Sequence, residues 1–504
     1  MSLSGLELYA LGIPYVFQPE VLLWLVVGVV SGILVGALPG LSATMAVAVI
    51  TPLTFTMEPI TALALLLGTY CSALYGGSIS AILVNIPGTP GAVMTTLDGY
   101  PMAQKGKAGQ ALGIATVASV LGGLFSVVVL MVAAPPIANL ALKFSAQEYF
   151  ALALFGVSMM AYVSSGSLAK GLLSGMIGLL IATIGTDPTT GTLRFTFGID
   201  NLLSGLDVLP VLIGLFGLTE ILTSTERIHA GSMVKAQLSK MIPSRALLFK
   251  NKGTILRSSV VGTLVGAAPA AGGTIAAIIA YGMEKRISKH PEKFGTGIPE
   301  GIFAPETANN ASTGGAMIPM LTLGIPGDAV TAILIGALMI HGLQPGPMLF
   351  AQQPHIVSSI FILMALANVL FLFVGLGGAR MISKVLNVHP GLLYPMIALM
   401  CIVGTYAARN FIFDVVILLI FGVMGYGFSK IGIPAAPMVL GVILGPIVES
   451  NFRRALVISE GSITPFFTRP ISATFMILTI LIFISPWLNN LIPYIKKKFS
   501  SKYD

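Results

Sequence analysis

Long apolar stretches alternate with short polar loops along this chain, and several of the stretches are interrupted by glycine, proline and hydroxyl residues. Largely apolar runs at residues 363–376 and 471–484 approach the roughly 20 residues that a membrane-spanning helix needs. Polar residues do not alternate with a period of two in these runs, as the strands of a membrane barrel would require. The pattern therefore predicts an all-α polytopic membrane protein.

Two of the apolar stretches are too long to cross the membrane once. Residues 21–57 and 254–283 would extend about 55 Å and about 45 Å as straight helices, against a hydrocarbon core of about 30 Å. Each stretch contains a proline among small residues, at 38–44 and at 267–274. We therefore predict two re-entrant helical hairpins with their tips at these segments.

The two hairpins belong to an internal repeat. Residues 32–44 (GILVGALPGLSAT) and 262–274 (GTLVGAAPAAGGT) align without gaps and are identical at seven of thirteen positions. An Ile-Pro-Gly segment follows each hairpin, at 86–88 and 325–327. Such a segment breaks a helix, and the freed backbone groups must be buried in protein or line water. Each repeat is thus predicted to contain one hairpin and one broken transmembrane helix, near 85–91 and near 309–328.

Basic residues mark the loops that are expected on the inner side of the membrane. None occurs before Lys105, whereas residues 226–257 carry seven. Loops without basic residues flank the first hairpin and basic loops flank the second, which predicts inverted-topology repeats, as in many secondary transporters. The N-terminus is expected outside and the C-terminus inside; impermeant thiol reagents acting on cysteines introduced at Ser4 and Ser501 would test this.

Composition agrees with a membrane protein, since 55% of residues are hydrophobic and 9% are charged, against about 25% charged in soluble domains. The formal charge of +8 comes from short loops, so it does not indicate a nucleic-acid partner. Cys71 and Cys401 lie in apolar stretches without metal-ligand spacing. The predicted divisions are a first repeat at 1–225, a basic cytoplasmic linker at 226–257, a second repeat at 258–470, and a C-terminal span with a basic tail at 471–504.

Candidate binding residues lie at the hairpin tips and at the breaks. A broken helix exposes backbone N–H groups at its new N-terminus, where the helix dipole favours an anion such as a carboxylate. Amide and hydroxyl oxygens there are also suitable ligands for Na⁺, although small residues equally permit close helix packing. The predicted substrate-binding residues are Pro39, Gly40, Ser42, Thr44, Asn85, Pro87, Gly88, Thr89, Pro269, Gly272, Gly273, Thr274, Asn309, Asn310, Ser312, Thr313, Pro326 and Gly327. The predicted coupling-ion residues are Asp328, Asn85, Asn310 and Thr89.

Acidic residues at membrane depth are further functional candidates. An ionisable group there is energetically unfavourable, so it is usually present because it has a function. Asp98, Glu306 and Asp328 lie close to the breaks. Asp98 and Asp328 could form an intramembrane aspartyl dyad, which is one alternative function. Otherwise the sequence contains no catalytic motif and no nucleotide-binding loop. No enzyme activity and no cofactor are expected, apart from Na⁺ or H⁺ as a coupling ion.

Five motifs resemble one family. They are residues 36–41 (GALPGL), 85–90 (NIPGTP), 98–103 (DGYPMA), 305–315 (PETANNASTGG) and 323–327 (LGIPG). Together they resemble the large membrane subunit of the tripartite tricarboxylate transporters, the TctA-type family, and the resemblance covers essentially the whole chain. Asp328 departs from the usual pattern of that family, in which a small or hydroxyl residue follows Ile-Pro-Gly.

The resemblance implies a secondary transporter of the bacterial inner membrane that imports an organic di- or tricarboxylate. It implies coupling to a Na⁺ or H⁺ gradient, and it does not single out citrate among the carboxylates. A periplasmic substrate-binding protein and a small membrane subunit are the implied partners. An elevator-type mechanism follows by analogy alone. A passive anion channel is the other alternative, although a channel needs a continuous polar pore.

Overall fold

The computed structural model describes residues 5–164, 167–226, 241–269, 271–385 and 390–500. Within these ranges the chain is predominantly helical, and eight helical segments are long and apolar enough to cross a membrane. They are Pro19–Ala37, Pro59–Val84, Pro90–Ala141, Val208–Glu226, Pro354–Gly378, Gly391–Arg409, Ile412–Lys430 and Ala435–Ile458. The predicted helical, multi-pass membrane protein is confirmed. One short antiparallel pair of strands, β1 (Gly185–Thr186) and β2 (Leu193–Arg194), accompanies the helices.

The helices of the first half of the chain are α1 (Gly5–Ala10), α2 (Ile13–Val16), α3 (Pro19–Ala37), α4 (Ala43–Ile50), α5 (Pro59–Val84), α6 (Val93–Met102), α7 (Ala108–Ala141), α8 (Ala146–Ser164), α9 (Leu168–Ile181), α10 (Val208–Leu212) and α11 (Thr219–Glu226). Those of the second half are α12 (Arg245–Lys250), α13 (Lys252–Ala267), α14 (Gly272–Ile287), α15 (Glu300–Leu323), α16 (Ala329–Ile340), α17 (Pro347–Gln352), α18 (Pro354–Val385), α19 (Pro390–Arg409), α20 (Ile412–Lys430), α21 (Ala435–Ile458), α22 (Pro465–Thr468) and α23 (Pro470–Ser500). Short 3₁₀ helices cover Thr51–Thr54, Pro90–Ala92, Asp200–Leu202 and Pro291–Lys293, and π-helical segments cover Ala103–Lys107 and Ile213–Leu218.

Both predicted hairpin tips lie where a helix stops and another begins. In the first, α3 ends at Ala37, and the hydroxyl of Ser42 accepts a hydrogen bond from the Met45 amide at 3.1 Å, which caps α4. Gly40 between them has a φ of 86°, a left-handed conformation that favours glycine. In the second, α13 ends at Ala267 and α14 begins at Gly272; residue 270 lies outside the described ranges.

The two Ile-Pro-Gly segments end their helices in the same way. Asn85 after α5 and Gly324 after α15 both adopt the left-handed conformation, with φ of 59° and 71°. Proline has no amide hydrogen and disfavours helical geometry in the residue before it, so neither helix continues through the segment. The second break is narrower than the predicted 309–328, because α15 is continuous through 309–313 and only 324–328 is non-helical.

Glycines bring each break against the first arm of its own hairpin. A Cβ atom at Gly88 would lie 2.0 Å from the carbonyl oxygen of Gly36 in α3. A Cβ atom at Gly327 would lie 2.7 Å from the carbonyl oxygen of Gly266 in α13. The two sets of contacts correspond residue for residue in the aligned repeats. Whether the repeats run in opposite directions across the membrane stays a prediction.

The helices pack as two compact units that are interleaved in the sequence. The first consists of Met1–Leu142 and Asp207–Gly427, and it contains both hairpins and both breaks. The second consists of Lys143–Leu206 and Phe428–Asp504. In the second unit Arg453 donates to Asp187 at 2.9 Å, and this guanidinium holds the pKa of the Asp187 carboxyl well below its usual range. The two units are defined by how the helices pack. They do not test the boundaries of the repeats, which stay a prediction.

Replacing either break glycine by alanine should destabilise the protein. We expect Gly88→Ala and Gly327→Ala to lose about 1–3 kcal/mol, because the added methyl group forces backbone shifts in a packed region. Gly282→Ala in α14 is the matched control, since a Cβ atom there meets nothing within 4 Å. It should be neutral or slightly stabilising, because alanine favours helix over glycine. Thermal unfolding midpoints in one detergent measure the difference, and equal midpoints for all three variants would contradict this packing.

Candidate functional site

The second hairpin tip, the start of α6 and the middle of α15 meet at the side chain of Asn309. A Cβ atom placed on either Gly91 or Gly273 would lie 2.2 Å from the Oδ1 atom of Asn309. Gly91 belongs to the 3₁₀ turn that leads into α6, and Gly273 lies in the first turn of α14. Any larger residue at these two positions would displace the amide. The glycines therefore allow two helix N-termini to approach one polar side chain.

Asn309 is fully buried, and neither atom of its amide has a hydrogen-bond partner in the described part of the chain. Two other buried acceptors, Oδ1 of Asn310 and Oγ1 of Thr89, also lack one there. An unpaired buried polar group costs about 1–3 kcal/mol. Unpaired donors and acceptors at helix N-termini are chemically suited to bind a polar or anionic ligand.

The N-terminus of α16 lies beside the same tip. Cβ atoms at Gly272 and Asp328 would be 3.4 Å apart. The Oδ1 atom of Asp328 accepts from the Thr331 amide at 2.8 Å, and the Thr331 hydroxyl accepts from the Asp328 amide at 2.9 Å. This reciprocal pair is a capping box. The other carboxylate oxygen accepts from the Tyr70 hydroxyl at 2.8 Å. Asp328 thus has local partners as a helix cap, and its part in ion coupling stays a prediction.

Helix N-termini place partial positive charge in this region. The dipoles of α6 and α14 each place such a charge at the end that faces the Asn309 amide, whereas the Asp328 carboxylate caps the N-terminus of α16. Within the described ranges, no lysine, arginine or histidine side chain pairs with Asn309, Asp328 or Glu306. A bound carboxylate would therefore be held by neutral donors and backbone dipoles.

Two hydroxyl residues of α15 use their hydrogens within the helix. Ser312 donates to the carbonyl of Asn309 at 2.6 Å, and Thr313 donates to that of Asn310 at 2.8 Å. The Ser312 oxygen still lies 3.0 Å from the position of a Cβ atom at Gly273. Of this pair, Ser312 therefore faces the second tip. The other predicted residues of this tip and break, Pro269, Thr274, Pro326 and Gly327, are half-buried or buried.

The first hairpin tip has different neighbours. The carbonyl of Gly40 accepts a hydrogen bond from Ser224 in α11 at 2.6 Å. The hydroxyl of Tyr394 in α19 would lie 3.4 Å from a Cβ atom at Gly40. Pro39 and Thr44 are half-buried beside it. The described contacts thus link this tip to α11 and α19 and do not link it to Asn309.

At the first break, backbone conformation and packing give structural reasons for residues that the sequence predicted to bind substrate. Asn85 is exposed and occupies the left-handed position that glycine occupies at the second break. The Gly88 amide donates to the carbonyl of Gly77 at 3.1 Å. Thr89 packs on Gly77, where a Cβ atom would lie 2.2 Å from the threonine hydroxyl. Pro87 is half-buried. A binding role for Asn85 stays a prediction.

Glu306 is a site candidate that sequence reasoning placed only among the acids near the breaks. It is fully buried in α15 and accepts hydrogen bonds from the hydroxyls of Thr95 in α6 and Ser119 in α7, the latter at 3.0 Å. Its backbone carbonyl accepts from the Asn310 amide group at 3.2 Å. The signal that could have found it is a glutamate one helical turn before a buried asparagine in an apolar helix.

Asp98 has a structural role. It is fully buried and accepts hydrogen bonds from the Tyr281 hydroxyl at 2.9 Å and from the amides of Gly297 and Ile298 at 2.8 and 3.1 Å. These bonds fasten the loop before α15 to α6. Asp98 and Asp328 have separate partners and share no hydrogen bond in the described contacts, which gives an aspartyl dyad no support.

A family model described as the tripartite tricarboxylate transporter TctA family matches residues 22–440. The matched range contains both hairpins, both breaks and every residue around Asn309. The chain belongs to the TctA family. The predicted resemblance to that family is confirmed. The family consists of membrane transporter components and is not a class of enzymes.

Two relatives of this TctA protein come from Agrobacterium vitis. An uncharacterised 52.8 kDa protein in the TAR-I ttuC' 3' region is 38% identical over 467 residues, which is 93% of each chain. An uncharacterised protein in the TAR-II ttuC' 3' region is 38% identical over 215 residues, 43% of this chain and 89% of its own. No solved structure matches the chain.

Asn309→Leu should raise stability and abolish substrate binding. The leucine has a similar branched shape, and it removes an unpaired amide that costs about 1–3 kcal/mol in the protein without substrate. The control is Asn368→Leu, since Asn368 is equally buried but its amide donates to the Met364 carbonyl at 2.8 Å. That variant should gain no stability and should keep its substrate affinity. Thermal unfolding and substrate uptake are measured on both; normal uptake by Asn309→Leu would exclude the amide from the site.

Proposed function

We propose that this TctA chain is the membrane permease subunit of a binding-protein-dependent secondary transporter that imports an organic di- or tricarboxylate together with a cation. The observation that carries the proposal is the buried Asn309 amide, unpartnered at both atoms. It lies against the glycines that open α6 and α14. Membership of a tricarboxylate transporter family supports an organic carboxylate as the substrate class.

The chemistry around Asn309 suits a carboxylate. Its Nδ2 atom is a donor, and the N-termini of α6 and α14 offer backbone N–H groups whose partial positive charge favours an anion. A hydrogen bond to a charged group contributes about 1.5–3 kcal/mol. The Oδ1 atom of the same amide can accept a hydrogen bond from a hydroxyl group on the substrate. Donor and acceptor in one fixed side chain thus provide orientation as well as affinity.

A cation is part of the proposal because Glu306 and Asp328 lie close by and have no basic partner among the described residues. Glu306 and the hydroxyls that contact it provide oxygen atoms of the kind that bind Na⁺, or a carboxylate that takes up H⁺. Asp328, Asn85, Asn310 and Thr89 are the other proposed coupling residues. A cation that enters with the substrate offsets the charge of the carboxylate in a medium of low dielectric constant.

The proposed partners and location follow from the family. A tripartite system implies a periplasmic substrate-binding protein and a small membrane subunit as partners, in a bacterial inner membrane. The N-terminus is proposed to lie outside, because no basic residue occurs before Lys105. Inverted repeats and an elevator-type motion are proposed by analogy with carriers that have paired hairpins and broken helices. A passive anion channel is the competing function.

Counterflow in proteoliposomes separates carrier from channel. We expect labelled carboxylate to exchange against unlabelled carboxylate inside, with saturation, when the binding protein and the small subunit are present. A carrier exchanges because each substrate must occupy the site, whereas a pore conducts down the gradient only. Omission of the binding protein is the control and should remove uptake from dilute substrate. Flux that rises without saturation would favour the channel.

Glu306→Gln should uncouple transport from the ion gradient. Glutamine keeps the shape and the hydroxyl contacts of Glu306 but removes the charge, so we expect counterflow to persist while accumulation driven by a Na⁺ or pH gradient falls at least tenfold. Glu300→Gln is the control, since Glu300 is on the same helix but pairs with Lys250 at a partly exposed position. Accumulation by Glu306→Gln with the wild-type dependence on both gradients would remove Glu306 from coupling.

A further inference from the structure

A cavity of about 430 Å³ lies between α7, α12 and α13 and shares no lining residue with the region around Asn309. Six of its nine lining side chains are apolar, among them Phe125 of α7, Phe249 of α12 and Leu256 of α13. The other three are Arg245, Lys252 and Ser259. Its volume is within the range of small-ligand pockets. The lining is therefore that of a site for an amphiphilic molecule with an anionic group.

The two basic side chains in the cavity differ in ion pairing from the basic residues near them in the sequence. Lys250 and Arg257 each pair with a glutamate, at 3.3 and 2.8 Å. Arg245 and Lys252, which line the cavity, have no ion pair within the described ranges. Both are exposed. Lys250 and Arg257 are thus neutralised by ion pairs, whereas two positive charges remain at the edge of the cavity.

An apolar path leads from these charges into the membrane-spanning region. Lys252 begins α13, and Ser259 lies seven residues further on, about 10 Å along the helix. Ser259 is 1% exposed, lines the cavity, and its hydroxyl has no partner in the described residues. Phe249 and Leu256 are 71% and 58% exposed, so the cavity is accessible from the side.

We infer that this cavity binds an anionic phospholipid of the surrounding bilayer. The phosphate lies at Arg245 and Lys252, one acyl chain follows the apolar walls, and the Ser259 hydroxyl donates to an ester oxygen. Basic pockets between membrane helices recognise anionic headgroups in this way. A zwitterionic lipid would leave the two cations without a net counter-charge. A packed apolar helix from another chain would bury them unpaired, which is costly.

Native mass spectrometry of the full chain, released from detergent, tests the inference. The probes are phosphatidylglycerol and phosphatidylcholine with the same acyl chains. The wild type should retain phosphatidylglycerol in preference to phosphatidylcholine. In the double variant Arg245→Gln, Lys252→Gln this preference should fall roughly tenfold, because each basic residue near a headgroup contributes to the attraction. Leu256→Trp, which fills the cavity from an exposed position, should reduce retention of both lipids.

Arg286→Gln with Lys289→Gln is the matched control, because it removes two exposed charges that do not line the cavity. This variant should keep the preference of the wild type. An equal loss in the control would show a general charge effect and overturn the inference. Retention that is unchanged in both cavity variants would overturn it too. A mass adduct of a second protein chain that disappears in Leu256→Trp would assign the cavity to a protein partner instead.

Discussion

Inside a bilayer a helix can end only where other parts of the protein satisfy its free backbone groups. At both helices that end at an Ile-Pro-Gly segment, the glycine of the segment allows close packing on the rest of the protein. Asn85 and Gly324 turn the chain in the left-handed conformation, and the Gly88 amide donates to the carbonyl of Gly77. The breaks then pack directly on the backbone of α3 and α13. A helix begins again after each break, α6 after the first and α16, capped by Asp328, after the second.

The same close approach explains why Asn309 is unusual. An asparagine inside a packed helix normally finds a backbone acceptor, as Asn368 does with the Met364 carbonyl. Asn309 instead points between two glycines at the starts of α6 and α14, where its amide has no partner in the described residues. Stability without substrate is lowered by an unpaired amide. We interpret this as a loss of folding stability that leaves the Asn309 amide unpaired and already oriented to bind a ligand.

Three acids near the breaks differ in the groups that surround their carboxylates. Asp98 accepts hydrogen bonds from one hydroxyl and three backbone amides that fasten a loop, so its carboxylate serves the fold. Asp328 caps a helix and also accepts from Tyr70. Glu306 accepts hydrogen bonds from hydroxyls of other helices, among them those of Thr95 and Ser119. We interpret Glu306 as the acid that would gain most from a bound cation, because the partners of its carboxylate in the described residues are hydroxyls and include no backbone N–H group.

Much of the fold could be predicted from the sequence, because it depends on the chemistry of neighbouring residues. Apolar run lengths predict the spans, and proline and glycine predict the helix ends, because these effects act within a few residues. The meeting of Gly91, Gly273 and Asn309 required the tertiary structure, since the three are far apart in the chain. So did the extent of α15 through 309–313, where packing overrides the polar residues, and the burial of Glu306 against Thr95 and Ser119. Which polar groups lack a partner is a property of all surrounding helices together, so no local pattern could have selected Asn309 over Asn85.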